Sequence, residues 1–227
     1  MQGGTIEYPL GTDPVGRDNL SRLIYGARVS LAVGALSVVV AATIGVFLGL
    51  ISAYYGGLTD TWVGMLVNIM LAFPFMLLAL AAIAVLGPSF KNMVIILGVT
   101  GWPMYTRPVR AEVLSIKQQE FVLAARGSGF SDRRILFLHI LPNLTNSIIV
   151  IASLEVARMI IMESFLSFLG VGIQPPTPSW GGMLGEGRVY MLMRWWLAAF
   201  PGMAIFITTL SINFFGEGLR DLLDPRF

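Results

Sequence analysis

The sequence predicts an all-α bundle of membrane-spanning helices, and three observations carry that prediction. Of the 227 residues, 56% are hydrophobic and 12% are charged, about half the roughly 25% charge of a soluble domain. The apolar residues fall in uninterrupted blocks, not in the half-polar stripes of helices that face water. Five of those blocks reach or approach the ~20 residues that a helix needs to cross about 30 Å of hydrocarbon.

The first block, Val29 to Ser52, and the second, Trp62 to Leu86, carry no charge. Asn92 to Thr106 is short, but a start near Pro88 with Lys91 reaching to the headgroups lengthens it into a third span, and Pro103 is expected to kink its end. Leu144 to Leu169 reads as a fourth span despite Glu155, Arg158 and Glu163. Trp195 to Phe215 is the fifth, with Pro201 inside it and Trp195 and Trp196 placed for an interfacial belt. Residues 1–27 are polar and rich in Gly, Pro and Asp, unlike a basic and then apolar leader, so the chain begins outside the bilayer core.

An odd number of spans puts the termini on opposite sides. The longest polar connection, Arg107 to Pro142, holds Arg107, Arg110, Lys117, Arg126, Arg133 and Arg134, which places it in the cytoplasm. The tail from Gly216 to Phe227 is then cytoplasmic too, and Met1 to Arg28 and Gln174 to Arg194 face outward; Arg17, Arg22 and Arg28 run against this bias. The organisation expected is an extracytoplasmic segment 1–27, a transmembrane domain 28–217 and a cytoplasmic tail 218–227.

Several functions are excluded by what is missing. Cysteine is absent and His139 is the only histidine, so there is no thiolate site, no paired-histidine metal motif and no nucleophile with its base. No phosphate-cradling GxxxxGK[ST] sequence occurs. A net charge of +2 gives no reason to expect nucleic acid. The expectation is a chain with no catalytic residue, metal or cofactor of its own.

The most informative stretch lies in the basic connection. Helix formers run from Ala111 to Arg126, Gly127 and Gly129 break the run, and Ser131 is placed to cap a new helix at Asp132. Phe121, Ala124, Ala125 and Phe130 give this helix, turn and helix an apolar and small surface, suited either to another protein's groove or to packing under its own bundle.

Ala124-Ala125, then Gly129, then Leu141-Pro142 is similar in spacing to the Glu-Ala-Ala, three residues, Gly, nine residues, Ile, any residue, Leu-Pro signature of ABC importer permeases, with Leu123 in place of Glu and His139 in place of Ile. Further segments, Pro9 to Asp18, Ser21 to Ser30, Ser167 to Gly172, Gln174 to Gly181 and Gly218 to Pro225, resemble the second permease of the dipeptide, oligopeptide and nickel branch. The resemblance implies a type I importer permease in a bacterial inner membrane, with a second permease, two ATP-hydrolysing subunits and an extracytoplasmic binding protein as partners. It implies short peptides as cargo, or a nickel or metal chelate as the alternative. It makes Glu120, Leu123, Ala124, Ala125, Gly129, Asp132, Leu141 and Pro142 the ATPase-coupling residues. Family members have one more helix before the Gly-Thr-Asp segment, which implies a chain truncated or started at an internal methionine.

Other residues have plainer readings. Pro175, Pro176 and Pro178 stiffen an extended loop, and Gly45 and Gly49 permit close helix contact. At 100° per residue Arg158 stands about 60° and Glu163 about 80° from Glu155 around a helix. The three can face one interior sector, as a polar translocation path or as a structural ion pair.

Overall fold

A computed structural model describes residues 3–223; Phe227 and the last residues of the tail lie outside that range. The described chain is almost wholly helical, and its only β pairing is an isolated bridge between Thr12 and Asp18. The helices, in order, are α1 (Asn19–Tyr55), α2 (Gly57–Ala72), α3 (Phe75–Leu86), α4 (Phe90–Gly101), α5 (Pro103–Ile116), α6 (Glu120–Gly127), α7 (Asp132–Arg134), a π segment (Ile135–Ile140), α8 (Leu141–Phe168), α9 (Trp180–Arg188) and α10 (Trp196–Leu223).

The central rod is α1, 37 residues long and so about 55 Å from end to end. Asp18 starts it by accepting from the amides of Leu20 and Ser21, which satisfies donors that have no partner inside the helix. The rod packs on α4, α5 and α8. Gly45 and Gly49 allow this approach as expected: a Cβ on Gly45 would run into the Trp102 carbonyl and Tyr105, and one on Gly49 into the Thr106 carbonyl. The Thr106 hydroxyl then donates to the Gly45 carbonyl at 3.1 Å. Around this seam Val33, Ala41, Leu97, Tyr105, Met159 and Leu166 form one core, while Leu50, Val109, Val113, Ile135, Ile140 and Leu144 form a second at one end of the bundle.

Three helical stretches, Asn19–Tyr55, Asp132–Phe168 and Trp196–Leu223, are each long and apolar enough to cross a membrane, and the pair α2 and α3 makes a fourth if it is one broken span. The second predicted block therefore differs from a straight span. It bends by 86° between α2 and α3, because Pro74 drives Phe73 into extended backbone (φ −96°, ψ 137°). The third block is split at Trp102 into α4, of 12 residues, and α5, of 14. Pro103 opens α5 at a position where a missing N–H is tolerated.

The basic connection also departs from its expected form. The helical run stops at Ile116 and resumes at Glu120, since a straight helix would carry Val122 and Ala125 away from the second core, where both are buried. Ser131 has the extended backbone of an N-cap, but its side chain makes no capping bond. The helix after the turn runs on without a break into the span, from Asp132 to Phe168. Pro142 is accommodated by the π segment before it, where the Leu141 amide reaches back to the Leu136 carbonyl, and the widened turn makes room for the proline ring.

Candidate functional site

The hairpin formed by α6, the turn and α7 stands at the end of the bundle that holds the second core. Helix α6 ends in a Schellman turn: the Phe130 amide donates to the Ala125 carbonyl and the Gly129 amide to the Arg126 carbonyl. Gly129 takes φ +78° there, and a Cβ would meet nothing within 4 Å. The glycine is required by its backbone conformation and not by a close neighbour.

The hairpin has two faces. Val122 and Ala125 turn inward, while Glu120, Phe121, Leu123, Ala124 and Phe130 are exposed. Ala125 thus lies under the hairpin, only 6% exposed, although the sequence places it on the same small surface as Ala124. Leu123 is 53% exposed, and Phe121 and Phe130 are exposed as well. His139 packs within the loop as its isolation suggests, stacked on Phe130 at 5.8 Å. Leu141 is half-buried and Pro142 exposed at the start of α8.

Ties to the rest of the bundle were not legible in sequence. Asp132 accepts a 2.7 Å bond from the Tyr54 hydroxyl, the Arg126 guanidinium lies 5.4 Å from the centre of the Tyr54 ring, and Lys117 Nζ donates to the Ala53 carbonyl at 2.7 Å. Beside them Arg110 forks onto Asp60 with two bonds of 2.6 Å. A polar cavity of about 650 Å³ opens next to the hairpin, lined among others by Glu112, Asn143, Asn146 and Arg220. Glu112 accepts from Ser147 there at 2.9 Å.

The interior charges separate into two sites. Glu155 and Arg158 pair at 2.9 Å, half-buried, with Arg158 also 5.0 Å from the centre of the Phe75 ring. Glu163 does not join them. It is fully buried and accepts from the hydroxyls of Ser167 (2.7 Å), Ser30 (3.2 Å) and Ser164 (3.4 Å). Ser30 in turn accepts from the Trp180 amide, so Glu163 ties α1, α8 and the start of α9 together. Among the described residues no group of three His, Asp or Glu side chains is placed to hold a metal ion.

At the end opposite the hairpin, α9 sits close against α8 and α10: a Cβ on Gly181 would strike the Ser164 backbone and one on Gly187 the Leu197 backbone. The segment before α1 is strapped onto α9 by Arg22, which bridges Asp13 and Glu186, each at 2.7 Å. Asp13 is almost fully buried. Burial alone would raise its carboxyl, but bonds from the Arg17 amide, the Arg17 guanidinium and the Val15 amide, with the charge of Arg22, hold it below its ordinary value of 3.8.

The described residues thus form a helical bundle with apolar helices of membrane-spanning length and a short hairpin at one end. Residues 45–227 match the family described as binding-protein-dependent transport system inner membrane component, and the chain belongs to that family of ABC importer permeases. It is 44% identical over 226 residues to the dipeptide transport system permease protein DppC of Alkalihalophilus pseudofirmus, covering 100% of this chain and 74% of the relative. It is 42% identical to the di/tripeptide transport system permease protein DppC of Pseudomonas aeruginosa (100% and 75%). It is 44% identical to the glutathione transport system permease protein GsiD of Escherichia coli O157:H7 (99% and 74%). In fold it is similar to a chain of the MetNI methionine ABC transporter, with a TM-score of 0.72 and 19% identity over 90% of this chain and 97% of that one.

Proposed function

We propose that this chain is one of two permeases in an ATP-driven, multi-pass importer of the bacterial inner membrane that takes up short peptides, and that the hairpin is its seat on an ATPase subunit. The observation that carries the reading is 42–44% identity across practically the whole chain to permeases named for dipeptide, di/tripeptide and glutathione transport. The exposure of Phe121, Leu123 and Phe130 supports the second half, because apolar side chains left uncovered on a basic, polar connection favour a protein partner. Glu120, Leu123, Ala124 and Pro142 contact the partner in this reading, Gly129 and Ala125 shape the turn beneath it, and Leu141 and Asp132 anchor it to the bundle.

The topology that fits has five crossings, with α2 and α3 as one broken span and α4 with α5 as another. The hairpin, with its arginines, faces the cytoplasm, and residues 1–27 and α9 face outward toward a solute-binding protein. The transmembrane domain is then 28–217, with the coupling loop 107–142 inside it. Glu155 and Arg158 are the half-buried charges best placed to line a polar path, while ATP hydrolysis belongs to partner subunits.

Expression of the chain with its ATPases, second permease and binding protein should restore uptake of radiolabelled dialanine in a peptide-uptake-deficient strain. The tagged chain should also retain the ATPase subunits through purification. Uptake that needs no ATPase, or a chain that purifies without one, would sink the reading.

A further inference from the structure

One element touches both ends of the molecule. At the hairpin end, the last turn of α1 receives side chains from three points of the hairpin. Lys117, just before α6, donates to the Ala53 carbonyl; Arg126, at the end of α6, covers the Tyr54 ring; and Asp132, at the start of α7, accepts from the Tyr54 hydroxyl at 2.7 Å. Lys117 fills a role that helix termini demand, since the last carbonyls of a helix have no partner within it and carry its negative dipole end. Tyr54 is 6% exposed, so its ring is packed in the core it shares with Val122 and Ala125, and its hydroxyl makes the bond to Asp132. At the opposite end the same helix holds α9 through three ties: Arg22 to Glu186, the Trp180 indole to the Leu23 carbonyl at 2.9 Å, and Ser30 to the Trp180 amide.

Between those ends α1 has little freedom to bend or slide. Gly34 meets Ile160 and the Val156 carbonyl, and Gly45 and Gly49 lie against the backbone of α5. Close-packed interiors of this kind move as bodies instead of deforming locally. A displacement of the hairpin therefore reaches α9 through α1, provided that the joint between hairpin and α1 holds.

We propose that Tyr54 is the positioning residue of that joint, making the coupling hairpin and α1 one moving body that links the ATPase seat to the outward helix α9. The inference rests on the hairpin's proposed role as the ATPase seat. Tyr54 itself touches neither cargo nor, in this reading, the ATPase.

The test uses the assembled transporter in lipid vesicles, with Tyr54→Phe, Asp132→Ala and the double substitution. Tyr54→Phe keeps the packed ring and removes only the hydroxyl. The complex should retain its ATPase subunits and its basal ATP hydrolysis, while stimulation by binding protein loaded with dialanine falls about five- to tenfold and dialanine taken up per ATP falls with it. The double variant should lose less than the two single losses added together, because both changes remove one shared bond. Wild-type stimulation and uptake in Tyr54→Phe would overturn the joint, as would losses that add in the double variant. Release of the ATPase subunits by Tyr54→Phe would place Tyr54 in the docking surface and overturn it as well. A wild-type complex that dialanine-loaded binding protein fails to stimulate would instead sink the importer reading, and the joint with it.

Discussion

At position 129 the backbone sits at φ +78° with open space around the missing Cβ, and the two facts together decide how substitutions there behave. A β-branched side chain finds room but not an allowed conformation, at a cost of about 1–2 kcal/mol, whereas asparagine tolerates the left-handed region better. Gly129→Val should therefore loosen the Schellman turn, speed amide hydrogen exchange at positions 129 and 130 and reduce uptake severalfold, while Gly129→Asn retains most of both the protection and the uptake. Exchange at the wild-type rate in Gly129→Val would show that the turn does not need its glycine. Other residues owe their meaning to neighbours far away in the chain. Glu163 lies eight positions from Glu155, within one sector of a helical projection, yet three serine hydroxyls enclose it and the Arg158 pair stands apart.

Among the elements, the strap that ties residues 11–18 to α9 has a chemistry that pH can address. Asp13 is held below its ordinary value, so its folded form favours the carboxylate. The stabilisation it lends the strap is complete above the unfolded value near 3.8, and is lost as pH falls through the lower, folded value. Hydrogen exchange of residues 11–18 should then be flat from pH 8 to pH 5, after correction for intrinsic rates, and should rise only below about pH 4. Asp13→Asn should expose the strap at every pH, because Arg22 and Arg17 lose their shared carboxylate. A protected strap in Asp13→Asn would show that the Arg22 bond to Glu186 suffices alone. Helices α6 and α7 make a further point at this scale. The glycines and Asp132 mark the turn in sequence, but the break at 117–119 follows from the burial of Val122 and Ala125 against α1 and α5.

For the whole molecule, the proposed orientation makes a prediction that single cysteines can check, since the chain has none of its own. Thr5→Cys stands on the exposed segment before α1 and Ser128→Cys on the exposed hairpin turn. In intact spheroplasts an impermeant thiol reagent should label Thr5→Cys and leave Ser128→Cys unlabelled until the membrane is opened. The reverse pattern would invert the topology and remove the hairpin from any cytoplasmic ATPase.

The sequence by itself determined the solvent of this protein, the helical class and the family, because apolar blocks of membrane-spanning length are local properties and the family's motifs are linear strings. It also marked the hairpin turn, since a glycine that ends a helix acts on its own backbone. The tertiary structure alone decided which helices bend and which residues meet. Pro74 was visible, but an 86° bend depends on what packs against both arms. The pairing of Tyr54 with Asp132, of Ser30 with Glu163 and of Arg22 with Glu186 spans 78, 133 and 164 residues. Contacts that distant leave no periodicity in the chain, so they are fixed only when α1 is laid against α8 and α9.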